Sequence, residues 1–571
     1  MDESTFWTKN AGRLSRRSLL RGAAVGAAGL AGAALIGCGD DDDAAGGGAA
    51  PAATQAAGAA TSAAATVADV QRGGELVYGW SYDPPNLDPH TGTSGGERQW
   101  LHMPYDKLVN TTGMGLKTPS GLLEPRLSLA ESWEQLDDKT VVLNLRPNVK
   151  IWKTDEAVNA DLVKWNLDKG MDPGATTRSA LGSLDNVEVV DDLTVRLNQS
   201  QVSAVLLSNM TDRPGSIISR KHFEDVGALE FGRNPLGSGP YQIVDWQSEA
   251  SITFEANKDH WMKDEEGRQM PYLDKFTMNI IPDTTVRVAA LEAGESDLLT
   301  SPSVDYARLK EDSNLQLSEF VGSHTYQWYL NMFFPPLDNE KFRKALSLSL
   351  DRENYIKNLL KGHEPVGKGL LTPASWAWDD SIVGDEFNPA EARKLLEGSG
   401  LPESEWVLRG QPIGASLSTG DQFYEASHAQ AGIKIDWAEP ERGSYATRVL
   451  VGLGGDASAA AFQSTWSMRL DPDGNVGDFY QETASYNPGQ HPVPFLEPLV
   501  VKARETLDID ERKAIYREIE QYSIDHVINR VTNTYAIAAR FGSSRVGNID
   551  KVFGGEGKER FYYLYNKEGA A

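Results

Sequence analysis

One cysteine stands in this chain, Cys38, so whatever follows it folds without a disulfide, a thiolate metal site or a cysteine nucleophile. The body from about Gly73 to the end runs to nearly 500 residues and must be held by apolar cores alone. That length exceeds what one core fills, so two or three domains are expected. The formal net charge is −26, and residues 1–37 carry five bases and two acids, which leaves −29 on the rest. So acidic a body repels nucleic acid phosphates and anionic lipid headgroups, so no nucleic-acid partner is expected.

Ahead of Cys38, the segment Ser15-Arg16-Arg17-Ser18-Leu19-Leu20-Arg21 sets two adjacent arginines before an uncharged Ala/Gly-rich stretch, Gly22 to Gly37. A basic segment followed by a short apolar one reads as an export signal of the twin-arginine type over residues 1–37. The run is shorter and less apolar than the about 20 residues a membrane span needs. Its end, Leu35-Ile36-Gly37-Cys38, resembles the lipobox of bacterial lipoproteins. The resemblance implies that Cys38 is lipidated and anchors the mature chain to the membrane outside the cytoplasm. Residues 38–71 open with the acidic run Asp40 to Asp43, continue in Ala, Gly, Thr and Pro, and offer almost no large apolar residue before Val67. Such a segment cannot bury enough surface to offset its chain entropy and reads as a tether spanning roughly 30 Å.

In the body, strand and helix signals alternate, which predicts α/β domains. Strands are expected at Glu75 to Trp80, Thr140 to Leu145, Phe276 to Ile281 and Gly432 to Trp437, with hairpins over 187–197 and 241–255. Asn159 and Asp283 are placed to cap helices, Gly294 to end the second, Pro389 and Gly398 to bracket another, and Asp510 to cap a long helix reaching about Asp525.

Five segments carry a family resemblance. They are Arg72-Gly73-Gly74-Glu75-Leu76 leading to Pro84-Pro85-Asn86-Leu87-Asp88-Pro89; Leu123 to Leu127 with Ala130-Glu131-Ser132-Trp133; Leu145-Arg146 to Trp152 with Ala160 to Val163; Gly237-Ser238-Gly239-Pro240-Tyr241 with Trp246 and Asn257 to Trp261; and Asn331 to Pro336 with Phe342 to Ala345 and Leu350 to Arg352. In number, order and spacing they resemble the peptide/nickel solute-binding family, family 5 or cluster C, across the whole mature body. The resemblance implies a periplasmic-binding-protein-like α/β fold of type II, with two main lobes around a cleft and a smaller third lobe. Lobe one is expected from 72–97, 190–290 and 522–571, an inserted lobe two from 98–189, and lobe three from 291–521. It further implies a monomer that captures a small solute or peptide by hinge closure and delivers it to an ABC permease and its ATPase subunits, with no cofactor, no metal and no catalysis. The glycines of Gly237-Ser238-Gly239-Pro240-Tyr241 are read as supplying positive φ at the entry to a hairpin.

Candidate ligand contacts lie in lobe three. Trp376 and Trp378 share a loop that the family places near the cleft, and either ring can equally be core. Trp466-Ser467-Met468-Arg469-Leu470-Asp471 matches a ligand-proximal family loop in which peptide binders carry an acid a few residues after the Trp. Here the third residue on is Arg469, suited to a carboxylate or phosphate, or else a surface cation paired with Asp471 or Asp473. Tyr329, Asn331 and Tyr486 complete the candidates. Asp471-Pro472-Asp473-Gly474-Asn475 superficially fits a calcium loop, but Val476 stands where that loop needs Gly. The nine histidines show no zinc spacing, and no phosphate loop or nucleophile elbow appears. The competing readings are a non-peptide solute (oligosaccharide, metal chelate or organic anion) and, from another class, an exported hydrolase.

Overall fold

The computed structural model describes residues 70–92, 97–112, 122–300, 305–412, 417–438, 460–467, 469, 471–482, 484, 486–488, 491–552 and 559–569. The expected signal, Cys38 and the tether as far as residue 69 lie outside the described residues.

A ten-stranded mixed sheet organises the body. Its centre is formed by two long antiparallel strands, Leu315–Leu330 and Arg530–Ser543. On one side the order continues through Leu298–Thr300, Glu75–Trp80, Lys275–Ile280, Ser251–Ala256 and Tyr241–Gln247. On the other it continues through Ala461–Ser467, Val407–Gln411 and Lys434–Trp437. Each wing contains parallel pairs, Glu75–Trp80 with Lys275–Ile280 in one and Val407–Gln411 with Lys434–Trp437 in the other. Parallel pairing needs crossovers, and the connecting helices supply them. A second, four-stranded antiparallel sheet of Ala130–Asp137, Thr140–Leu145, Thr194–Gln199 and Leu184–Asp191 forms the inserted lobe.

Each lobe has its own core. Leu76, Tyr78, Trp100, Phe254, Phe276 and Phe561 fill the first lobe. Leu143, Val163, Leu197 and Met210 fill the second. The third lobe has a cluster on each face of its sheet, because alternate residues of one strand point to opposite faces. Tyr329 packs with Phe462 and Phe479 on one face, and its neighbour Trp328 with Phe342, Leu408 and Tyr424 on the other.

Packing draws the lobes differently from the sequence expectation. Leu298–Thr300, beyond the expected start of lobe three at 291, pairs with the first-lobe strand Glu75–Trp80. Val527, Ile528 and Val531, beyond its expected end at 521, are buried in third-lobe clusters. Val195, Leu197 and Ile217 pack into lobe two beyond 189. Between lobes one and three, the chain changes lobe inside the two long strands rather than in a loop.

Local signals act largely as expected. Asn159 and Asp283 accept from Leu162 N and Val286 N as helix caps, and Gly294 has φ +74°. Two readings are corrected. The long helix Ile509–Asp525 is capped by Asp508, whose side chain accepts from both Asp510 N and Glu511 N. Gly237 and Gly239 are required by close approach, not by positive φ. A Cβ on Gly237 would stand 2.4 Å from Pro104 O, and one on Gly239 2.5 Å from Met103 O.

Candidate functional site

The strand Ala461–Ser467 ends at Trp466 and Ser467, and the chain then turns around one buried side chain, Asn475. Asn475 Oδ1 accepts from Trp466 Nε1 at 3.0 Å and from Arg469 N at 2.8 Å, while its Nδ2 donates to Arg469 O at 3.1 Å. Three bonds fix where Arg469 leaves the loop. Gly474 makes room for its stem, since a Cβ there would lie 2.7 Å from Arg469 Cγ. The guanidinium carbon lies 5.2 Å from the centroid of the Trp466 ring, and its Nη2 lies 3.8 Å from Asp478 Oδ2. Tyr486, about one-third exposed, meets Trp466 edge-on at 4.7 Å. The structure thus brings Trp466, Arg469 and Tyr486 into one cluster, and adds Asp478.

Asp478 carries charge from two lobes. Burial raises its carboxyl above the ordinary value, against the opposing pull of Arg469, Arg98 and Arg504. Arg98 belongs to the other side, where it pairs with Asp212 at 2.7 Å. A backbone bond from Ala204 N to Arg504 O, 2.8 Å, ties the second lobe to the third nearby.

Asp471 points elsewhere. Its Oδ1 accepts from Arg512 Nη2 at 2.7 Å and from Asp473 N at 3.0 Å, and both members of the pair are buried. Trp376 lies over that pair, with the Arg512 guanidinium carbon 5.2 Å from its centroid and Tyr516 edge-on at 5.8 Å. Asp473 is held by Arg504, yet burial and the neighbouring Asp471 charge push its carboxyl up to about 6. These carboxylates are committed to arginines, and no metal-ligating cluster occurs among the described residues. Asp471 is therefore held in a buried ion pair with Arg512.

Tyr329 and Asn331 are placed in the interior, against the expectation of a cleft position. Tyr329 is 2% exposed and stacks on Phe462 at 4.6 Å. Asn331 Oδ1 accepts from Phe333 N and so makes the following turn. Trp378 stands apart from the Trp466 cluster: its Nε1 donates to Asp380 at 2.7 Å and its ring meets Tyr535 edge-on at 5.6 Å.

Tyr535 marks the crossing between lobes. The two long strands pair from Leu315↔Ser543 to Val321↔Ile537, then break register and resume at Thr325↔Tyr535. Before the break their partner strand is Leu298–Thr300 of lobe one, and after it Ala461–Ser467 of lobe three. A bulge at the crossing is where a paired strand bends most readily. The segment 363–367 runs across the same place. Tyr535 N donates to Pro365 O, Thr534 Oγ1 donates to Glu364 Oε2 at 2.6 Å, and the His363 ring lies 3.5 Å from that of Tyr306.

Sequence reasoning missed Glu364, Asp478 and Asn475. An acid within the helix after Asp471-Pro472 was a visible signal for Asp478. Nothing local marks Glu364, whose setting is made by strands distant in sequence.

Residues 124–487 match the sequence model of the bacterial extracellular solute-binding proteins, family 5 middle. The chain is 26% identical over 498 residues to the dipeptide-binding protein of Escherichia coli K12, covering 80% of this chain and 88% of that protein. It is 27% identical over 454 residues to heme-binding protein A of Haemophilus influenzae, covering 73% and 79%. Among solved structures, the ABC transporter substrate-binding protein CtaP of Listeria monocytogenes superposes with a TM-score of 0.73 at 23% identity, covering 87% of this chain and 100% of that one.

Proposed function

The chain belongs to family 5 of the bacterial extracellular solute-binding proteins, and on that footing we propose that it captures a small solute, a peptide or peptide-like compound, between its lobes and hands it to an ABC importer. One observation carries the mechanical part of this reading: the paired strands Leu315–Leu330 and Arg530–Ser543 pass from one lobe to the other through a register break. Two rigid cores joined by such a crossing suit hinge closure around a ligand. In this account the molecule catalyses nothing, and its binding free energy is the functional quantity. It acts as a monomer outside the cytoplasm, held by a lipid on Cys38, and its partners are the permease and ATPase subunits.

Trp466, Arg469 and Tyr486 form a contact surface of the third lobe, and Trp376 and Trp378 are separate candidate contacts. Arg469 is 30% exposed at its side chain and loosely paired to Asp478, so it remains open to a second anion. That favours a solute presenting a carboxylate at this end, and an organic anion is the second reading it supports.

Mass spectrometry of small molecules released from the purified mature protein tests the capture. A defined solute at one per chain is expected, and turnover of ester, peptide or glycoside substrates would overturn the reading in favour of a hydrolase. For the anchor, Cys38→Ser should release the exported protein from the membrane. Variant protein that stays in the pellet after a salt wash would refute it.

A further inference from the structure

Glu364 stands at the lobe crossing in an unusual state. On one side its neighbour His363 reaches the lobe-one end of the long strand, 3.6 Å from Glu319. On the other, Pro365 and Val366 pair with Tyr535 and Thr534 at the lobe-three end. Its carboxylate accepts a hydrogen bond from Thr534 Oγ1 and pairs with no Lys or Arg among the described residues.

The groups that face it come from every element around it. The long strand contributes Tyr326, the helix Arg352–Asn358 contributes Tyr355, and the strand Arg530–Ser543 contributes Thr534. His363 beside it is held by burial below its ordinary value of 6.5, so it is a neutral ring near pH 7. Lys310, which acts on His363 through space, is engaged by Glu319 and Tyr306. Glu364 is therefore a half-buried carboxylate near two phenols, without a counter-ion among the described residues. An unpaired buried charge is costly, and a cation brought to it recovers that cost, with aromatic faces adding to the attraction.

We propose that Glu364, with Tyr326 and Tyr355, is a subsite for the protonated amine of the captured solute, placed at the hinge itself. The inference rests on the receptor reading and assigns the amine to the hinge while the Trp466 end receives the anionic group. A cation bound at this crossing touches the element that must bend, so occupancy and closure are linked.

Burial pushes the Glu364 carboxyl up to about 7. Below that pH it is mostly protonated and neutral, and above it ionised. Amine binding should then strengthen with rising pH, about tenfold between about pH 6 and about pH 8.

Calorimetry with putrescine, lysine amide and the tripeptide Ala-Lys-Ala, free and acetylated at both Nα and Nε, tests this in wild type and in Glu364→Gln. The free amines should bind at about pH 8 and lose about tenfold at about pH 6. Glu364→Gln should weaken them at least tenfold and remove the pH dependence. Glu364→Asp, which keeps the charge and shortens its reach, should bind weakly but retain the pH dependence. Absence of amine binding at the higher pH, equal binding by Glu364→Gln, or equal binding of the acetylated peptide would overturn the subsite. Tight capture of a co-purified neutral or anionic solute, unaffected by Glu364→Gln, would overturn the subsite alone. A protein that closes on no solute would overturn the receptor reading beneath it.

Discussion

Two buried arginines lie on one strand, Arg530–Ser543, and belong to different lobes. Arg540, in lobe one, is fully buried and ion-paired to Glu559, with Thr300 accepting from its Nη1 at 3.1 Å. Arg530, in lobe three, lies against the rings of Phe479 at 4.2 Å and Tyr480 at 4.7 Å, and none of its guanidinium nitrogens has a hydrogen-bond partner among the described residues. Glu520 opposes it only through space. Arg540 thus has a direct counter-ion, whereas Arg530 is held by rings and distance. The same contrast recurs at the crossing, where Glu364 has no counter-ion among the described residues. A directly paired charge is fixed in place, whereas an uncompensated one is poised to gain from a ligand or from rearrangement.

The contrast can be broken or sharpened by substitution. Arg540→Met should strand Glu559 and cost about 3–5 kcal/mol, while Arg530→Met should cost at least about 2 kcal/mol less. Chemical denaturation decides this, and equal losses would break the comparison. Asp471→Ala should strand Arg512 and cost about 2–4 kcal/mol, a loss of stability rather than of specificity. A variant with unchanged unfolding midpoint and impaired binding would return Asp471 to the ligand site.

Glu364→Gln should do the reverse and stabilise the protein at alkaline pH. The Glu364 carboxyl is raised from its ordinary 4.5 to about 7, so the folded state binds the proton more tightly than the unfolded chain. That contribution is full below the ordinary value and is lost as pH rises through about 7. The variant should therefore gain about 1–3 kcal/mol over wild type near pH 8 and little near pH 4. Melting curves across that range check it, and a gain independent of pH would contradict the assignment. The smallest expected effect is that of Arg469→Ala, under about 1 kcal/mol of stability because the pair with Asp478 is solvent-screened. Its effect on binding a carboxylate-bearing solute should be larger, read by calorimetry as a drop in affinity without a change in melting.

These outcomes bear on how far the sequence could be read. Strands such as Glu75–Trp80 and Thr140–Leu145, and caps such as Asn159 and Asp283, are written in neighbouring residues and emerge where expected. Asp508 and Asp510 both look like caps, and only backbone geometry chooses Asp508. The crossing is invisible locally, because Leu315–Leu330 reads as one strand while its pairing changes lobe midway. Among the candidates, the proximity of Trp466 and Arg469 was legible because one loop carries both. The pairing of Asp471 was not, because its partner Arg512 lies 41 residues on. Glu364 could not be read at all, since burial and the lack of a counter-ion are properties of the assembled fold.

The central claim is that the two long strands are a hinge on which the lobes close over a solute. Small-angle scattering of the mature protein, first freed of ligand by reversible unfolding and then saturated with the solute identified by mass spectrometry, tests it most directly. The radius of gyration should fall on saturation and return when the ligand is removed. An unchanged radius at full occupancy would contradict the account.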